Sequence, residues 1–205
     1  MRQPIHRNSA GFTLIEMMVS MTIGMLVIAA VTGTFNAQTR QNKAEEEISQ
    51  MHQNVRGAVD LITRELMQAG YKPSGVNVTG VTYNSNNANA SQLLIQADID
   101  DSGAIDPTNN ATIEYIIYAW DLATMRITRQ LGAGGTPEIV ADNITACDFI
   151  FRDASDGLTT TSSSIRKVNI NITGRTARID PSFPNNGGYR TYNLSVDVAP
   201  PNLAL

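Results

Sequence analysis

The chain opens with one long apolar segment. Across the 24 positions from Phe12 to Phe35 the only charged residue is Glu16, and most of the others are apolar. At about 1.5 Å per residue, a helix of that length extends about 36 Å, which is enough to cross a bilayer. The pattern therefore predicts a membrane-spanning helix with one carboxylate close to its start.

The next segment, residues 37–70, has the periodicity of an amphipathic helix. Apolar residues recur every three or four positions at Ala44, Ile48, Met51, Val55, Val59, Ile62, Leu66 and Ala69. No proline interrupts residues 12–70, Gly70 is a candidate C-cap, and Pro73 disfavours continuation. We predict one helix of about 59 residues. Its apolar stripe either packs on the chain's own globular domain or contacts neighbouring helices.

From Tyr71 onwards the pattern changes to short β-branched runs separated by turn residues. Predicted strands cover 76–83, 92–98, 112–120, 125–131, 144–152, 164–174 and 189–199. The alternation of Val168, Ile170 and Ile172 with polar residues is typical of a strand with one wet face. The fold class is therefore α+β, with the helix packed on an antiparallel sheet. Four segments follow: 1–11, a span over 12–36, an amphipathic continuation over 37–70, and a β-rich head over 71–205.

Composition excludes several classes of protein. The net charge of −4 and the pI of about 5.1 give no electrostatic basis for binding nucleic acid. Cys147 is the only cysteine, so no intrachain disulfide forms, and its apolar context predicts a buried core residue. The only histidines are His6 and His52, and no catalytic or phosphate-binding motif is present. We therefore expect a protein that is not an enzyme.

The residues before the span carry Arg2 and Arg7 and no acid, which keeps this end in the cytoplasm and places the chain after the span on the other side. A secretory signal has its small-residue cleavage site after a short apolar core. Here the small residues Ser9, Ala10 and Gly11 come before a longer core. Cleavage after Gly11 would leave the span attached. A plain signal anchor that tolerates an acid near the interface is the alternative.

The run Gly11 to Ser20, "GFTLIEMMVS", resembles the class III signal of type IV prepilins and pseudopilins. The resemblance implies the type IV pilin fold and a prepilin peptidase that cuts between Gly11 and Phe12 and N-methylates Phe12. Glu16 then becomes the fifth residue of the mature chain, which is the acidic position of that family.

A physical role for Glu16 follows as a hypothesis. A carboxylate within a span costs roughly 2.5–3.5 kcal/mol on insertion scales. Cleavage would free an α-amine on Phe12 at membrane depth, and in a helix bundle this amine can reach the carboxylate of a neighbouring subunit. Glu16 is then unpaired in a lone subunit and paired in an assembly, so it favours lateral association.

The segment "NVRGAVDLITRELMQAGY", residues 54–71, resembles the region after the span in PilW-type minor pilins. Together with the leader, the resemblance covers about residues 9–75. It implies a minor pilin that primes assembly of a type IV pilus or sits at its tip. The alternative is a minor pseudopilin of a type II secretion system. The implied partners are other minor and major pilins, prepilin peptidase and an inner-membrane assembly platform. The implied location is the bacterial inner membrane with the head in the periplasm, and afterwards the extracellular pilus.

One loop, residues 98–110, carries candidate metal ligands. Asp98, Asp100, Ser102 and Asp106 match the start of a calcium loop, and Gly103 permits the sharp turn. The bidentate glutamate of the full pattern is missing, because Asn109 occupies its position and Glu114 comes later. The loop is either a calcium site or an ion-free acidic turn, and no other cofactor is expected.

Overall fold

The computed structural model describes residues 11–73, 78–82, 89–108 and 113–204. The chain divides into two compact units, Met1–Glu45 and Glu46–Leu205. Helix α1, Leu14–Leu66, supplies most of the first unit and begins the second. The fold prediction of a long N-terminal helix followed by antiparallel β-structure is confirmed.

In the first unit, α1 exposes large apolar side chains such as Phe35, Leu26 and Met18. Among the described residues, α1 is the one helix that is long enough and apolar enough to cross a membrane, judged by length and composition. Its threonine hydroxyls donate to the carbonyl four residues earlier, as in Thr22 to Met18, Thr32 to Ile28 and Thr34 to Ala30. These bonds satisfy the hydroxyls within the helix itself, which an apolar environment requires.

The helix ends a turn earlier than the sequence predicts. After Leu66 the backbone tightens, because the N–H groups of Gln68 and Ala69 donate to carbonyls three residues back, on Glu65 and Leu66. Gly70 then takes a left-handed φ of 77° and donates its N–H to Gln96 O at 2.9 Å. Gly70 therefore terminates the helical segment, as expected. The turn before it has hydrogen bonds to the carbonyl three residues back instead of the four of an α-helix.

The described residues contain nine strands in two antiparallel sheets. The strands are β1 Val81–Thr82, β2 Asn89–Ala90, β3 Gln92–Gln96, β4 Tyr115–Asp121, β5 Arg126–Leu131, β6 Glu138–Ala141, β7 Ile144–Arg152, β8 Lys167–Arg175 and β9 Thr191–Val198. The first sheet has the order β1-β3-β4-β5-β6, and the second has the order β2-β7-β8-β9. The sequence predicts one sheet and misses β2 and β6. Parts of the strands predicted at 76–83 and 112–120 lie outside the described residues.

The core of the second unit lies under one face of α1. Val55, Ala58, Val59, Ile62 and Leu66 are at most 2% exposed and belong to a single core with residues from both sheets. The sheets contribute Leu93, Ile116, Tyr118, Ile127, Phe149, Phe151, Val168, Ile170 and Ile172. Of the two roles left open for the apolar stripe, its C-terminal half takes the first and packs on the chain's own domain.

A half-buried ion pair joins α1 to the first sheet. The Arg129 guanidinium on β5 contacts the Glu65 carboxylate through Nη2 at 2.6 Å and Nε at 3.0 Å, and their side chains are 14% and 12% exposed. The hydroxyl of buried Tyr118 on β4 donates to the same carboxylate. Burial raises the pKa of Tyr118, and the neighbouring Glu65 raises it further, so the phenol stays protonated and keeps donating.

Gly174 on β8 packs directly against α1. A Cβ at this position would lie 2.5 Å from Cγ2 of Val55. We expect Gly174→Ala to lower the free energy of unfolding by about 1–3 kcal/mol, because the added methyl group overpacks the core. Thermal unfolding of the full chain in detergent measures the change. The matched control is Gly134→Ala, where no described atom lies within 4 Å, and equal effects at the two positions would contradict this packing.

Candidate functional site

The predicted cleavage site lies just outside α1. Gly11, Phe12 and Thr13 precede the helix without regular secondary structure, and Phe12 is 90% exposed. A Cβ on Gly11 would meet no described atom within 4 Å, so the fold of this chain does not itself require glycine there. The Gly11–Phe12 bond is therefore sterically open, while the leader residues 1–10 lie outside the described residues.

Glu16 closes a capping box at the start of α1. Its Oε2 accepts a hydrogen bond from the Thr13 backbone N–H at 2.9 Å and another from the Thr13 hydroxyl at 2.8 Å. In return the Glu16 N–H donates to Thr13 Oγ1 at 3.3 Å. This reciprocal pair satisfies backbone donors that a helix start leaves without partners.

The capping box changes the sequence-based argument about Glu16. That argument treats the carboxylate as unpartnered in an isolated subunit, whereas the structure gives it hydrogen bonds from Thr13. These donors are neutral, so they orient the carboxylate without neutralising its charge. The sequence contains the signal for this motif, a threonine followed three residues later by a glutamate.

The acidic loop follows β3 and leads towards β4. Asp98 is fully buried, and its carboxylate accepts the N–H groups of Ser102 and Gly103, each at 3.1 Å. Asp100 is exposed and accepts the Ser102 N–H at 3.0 Å, and its hydrogen bonds with Ser102 lower the pKa of the Asp100 carboxyl. Gly103 has a φ of 82°, which confirms the predicted sharp turn.

Glu114 is the residue that organises this loop. It is 1% exposed, and its carboxylate accepts the N–H groups of Ile99 and Asp100 at 3.3 Å and of Asp106 at 3.2 Å. Pairing of β3 with β4 brings it there, because the Ala97 N–H donates to the Glu114 carbonyl. Glu114 comes later in the sequence than the glutamate of the calcium-loop pattern, and the pairing of the two strands is the signal that identifies it.

Three acidic side chains lie together here. Carboxylate oxygens of Asp98 and Asp100, which belong to the predicted set, and of Glu114, which does not, lie within 4.8 Å of one another. The Asp106 carboxylate accepts hydrogen bonds from Thr108, and the Ser102 hydroxyl donates to the Ala104 carbonyl. The oxygen-only cluster suits a hard cation such as calcium, although an ion would share these oxygens with backbone N–H groups.

The two other reactive side chains have structural surroundings. Cys147 is fully buried, and burial raises the pKa of its thiol, so it is a core residue as predicted. His52 on α1 is half-buried, and the centroid of its ring lies 4.1 Å from that of Tyr192.

Comparison with known proteins extends this description. Residues 6–32 match the model of the prokaryotic N-terminal methylation motif, and residues 45–196 match the model of prepilin peptidase-dependent protein B. A solved type IV-like pilin from Thermus thermophilus is 14% identical, with 78% of this chain and 98% of that chain covered and a TM-score of 0.44. That likeness is too distant to assign anything to this chain. No curated protein sequence matches it.

The two family models together cover both the N-terminal signal and most of the head. They confirm the identification as a pilin-like protein with a class III leader, a kind of protein that is structural rather than catalytic. The chain belongs to the prepilin peptidase-dependent protein B family.

Proposed function

We propose that this protein is a minor pilin of a type IV pilus, which primes assembly or occupies the filament tip. The observation that carries the proposal is the arrangement at the start of α1. An open Gly11–Phe12 bond precedes a helix of apolar residues, and Thr13 holds the Glu16 carboxylate at the helix start. This arrangement suits a subunit that is cut by prepilin peptidase and then packed through its helix.

In this proposal, cleavage produces an N-methylated amine on Phe12 that is cationic at membrane depth. The Glu16 carboxylate of an adjacent pilin supplies the counter-charge, so an ion pair forms only when subunits associate. The capping box supports this role because it holds the carboxylate in a defined position at the start of α1 before a partner arrives. The partners are other minor and major pilins and the inner-membrane assembly platform. The β-rich head lies in the periplasm until the subunit enters the pilus.

The second candidate is a minor pseudopilin of a type II secretion system, since the same N-terminal signal serves both machines. Deleting the gene distinguishes them. Loss of surface pili and of twitching motility, with normal secretion, supports the pilus. Retention of secreted proteins in the periplasm with normal piliation would overturn the first proposal in favour of the second. A plasmid-borne copy should restore whichever activity is lost.

We also propose that the acidic loop binds calcium through Asp98, Asp100 and Glu114, supported by the grouping of their carboxylates. Calcium should raise the melting temperature of the full chain relative to EDTA, because an ion at 100 times its Kd stabilises by about 2.7 kcal/mol. Glu114→Gln should remove the shift, whereas Asp60→Asn on the exposed side of α1 should keep it. Absence of both calorimetric heat and a melting shift with the unaltered chain would exclude the ion.

A further inference from the structure

A pocket of about 410 Å³ lies beside the point where the chain leaves α1. We call it the cationic pocket, and it is lined by Lys72, Thr79, Ser163, Arg166, Asn202 and Leu203. Two of these residues carry positive charge, and three more offer hydroxyl or amide donors. Its described lining contains no carboxylate, so the chemistry of the pocket suits an anion.

Arg166 is held so that one edge of its guanidinium remains available. Nη1 donates to the carbonyls of Ser163 at 2.9 Å and Ile165 at 2.8 Å, which uses both of its hydrogens. The edge formed by Nε and Nη2 is the one that binds a carboxylate through two parallel hydrogen bonds. Within the described residues, neither Arg166 nor Lys72 lies within 4.0 Å of a carboxylate.

The pocket also has an apolar wall, because Leu203 is only 7% exposed and lines it. A glutamate side chain matches this combination, since its methylene groups can contact Leu203 while its carboxylate reaches Lys72 and Arg166. The volume leaves room for more than one such side chain. An inorganic anion would use the charges but not the apolar wall.

We propose that the cationic pocket binds the carboxylates of an acidic helical turn on a neighbouring pilin subunit. The inference rests on the proposed function, which supplies pilin neighbours. The chain carries such a turn itself at Glu45–Glu47, where Glu45 and Glu46 are exposed. The pocket and the acidic turn are different surfaces, so a contact between two copies of this chain is heterologous.

The probe is an acetylated, amidated peptide with the sequence of residues 44–50, AEEEISQ, labelled for fluorescence anisotropy. We expect it to bind the full chain in a neutral detergent and to be released by salt. Lys72→Ala with Arg166→Ala should weaken binding at least tenfold. Lys72→Ala alone keeps the Arg166 bonds and should weaken it at least threefold. Arg126→Ala removes an exposed charge on β5 and is the matched control with unchanged binding.

The proposal would be overturned if the unaltered chain, Lys72→Ala and the double variant all bound the peptide equally well. Equal binding of a peptide with glutamine in place of glutamate would also overturn it. Inorganic phosphate is the second probe, and its binding without binding of the peptide would leave only a general anion site and contradict a protein partner. Mass spectrometry of the N-terminus is independent of these results, so a failed pocket and a failed pilin assignment can be told apart.

Discussion

Glu16→Ala is expected to insert into the membrane and to be processed normally, yet to disappear from assembled filaments. The substitution removes the only charge of the span and also opens the capping box with Thr13. A carboxylate in the span costs roughly 2.5–3.5 kcal/mol. If the ion pair formed on assembly offsets this cost, its loss should lower the incorporation equilibrium about 100-fold. The ratio of this protein in sheared filaments to that in membranes, measured by immunoblot, reports the loss.

Glu16→Gln separates the two roles of this side chain. The glutamine carbonyl can still accept the hydrogen bonds of Thr13, so the cap is kept while the charge is lost. If charge pairing with the Phe12 amine drives assembly, Glu16→Gln should fail to incorporate as completely as Glu16→Ala. Incorporation of the alanine variant at the level of the unaltered protein would refute a role for Glu16 in assembly. Rescue by glutamine alone would assign that role to the cap.

Glu65→Ala is expected to cause the largest loss of stability in the head. It leaves the half-buried Arg129 guanidinium without a counter-ion and the Tyr118 hydroxyl without its acceptor. Breaking a fully buried pair from one side costs about 3–5 kcal/mol, so we expect a loss of about 3 kcal/mol for this half-buried pair, measured as the free energy of unfolding in urea. The matched control is Glu46→Ala on the same helix, which should change the free energy of unfolding by less than about 0.5 kcal/mol.

The double variant Glu65→Leu with Arg129→Met tests the cause of that loss. If the cost comes from the stranded charge, replacing both partners by apolar side chains should restore part of the stability lost in Glu65→Ala. A double variant less stable than the single one would show that the ion pair stabilises the head by its own attraction. The melting temperatures of the unaltered chain, the single variant and the double variant should be compared in the same detergent.

The helix was the most predictable part of this protein. Its apolar span and its three-and-four spacing depend only on nearby residues, so the stripe from Val55 to Leu66 was found correctly. The end of the helix was less predictable, because the hydrogen bond from Gly70 to Gln96 joins distant parts of the chain. The glycine at position 70, which takes a left-handed φ, was the local signal for the end of the helix.

The sheets were predictable as strands but not as an arrangement. Strand β6 was missed because it has four residues after a proline, with exposed Glu138 and Ile139, and gains its pairing only from β5. The division into two sheets depends on which strands pair, and one sequence does not determine this. The contact between Glu65 and Arg129 spans 64 positions and leaves no local pattern.

In the candidate sites, too, the residues that are close in sequence were predictable, and the residue brought in by strand pairing was not. The motif from Gly11 to Glu16 is continuous in sequence, so its residues were identified together. The acidic loop combines a continuous part, Asp98 to Gly103, with Glu114, which β-pairing delivers from the next strand. Of the other two residues of the predicted set, Ser102 donates its hydroxyl to the Ala104 carbonyl and Asp106 accepts a hydrogen bond from Thr108.

Mass spectrometry of the mature N-terminus tests the central claim most directly. The protein is purified from membranes of cells that contain prepilin peptidase and compared with protein from cells that lack it. We expect the first to begin at Phe12 with one methyl group on its amine, and the second to keep residues 1–11. Protein that retains Met1 in peptidase-containing cells would contradict the account.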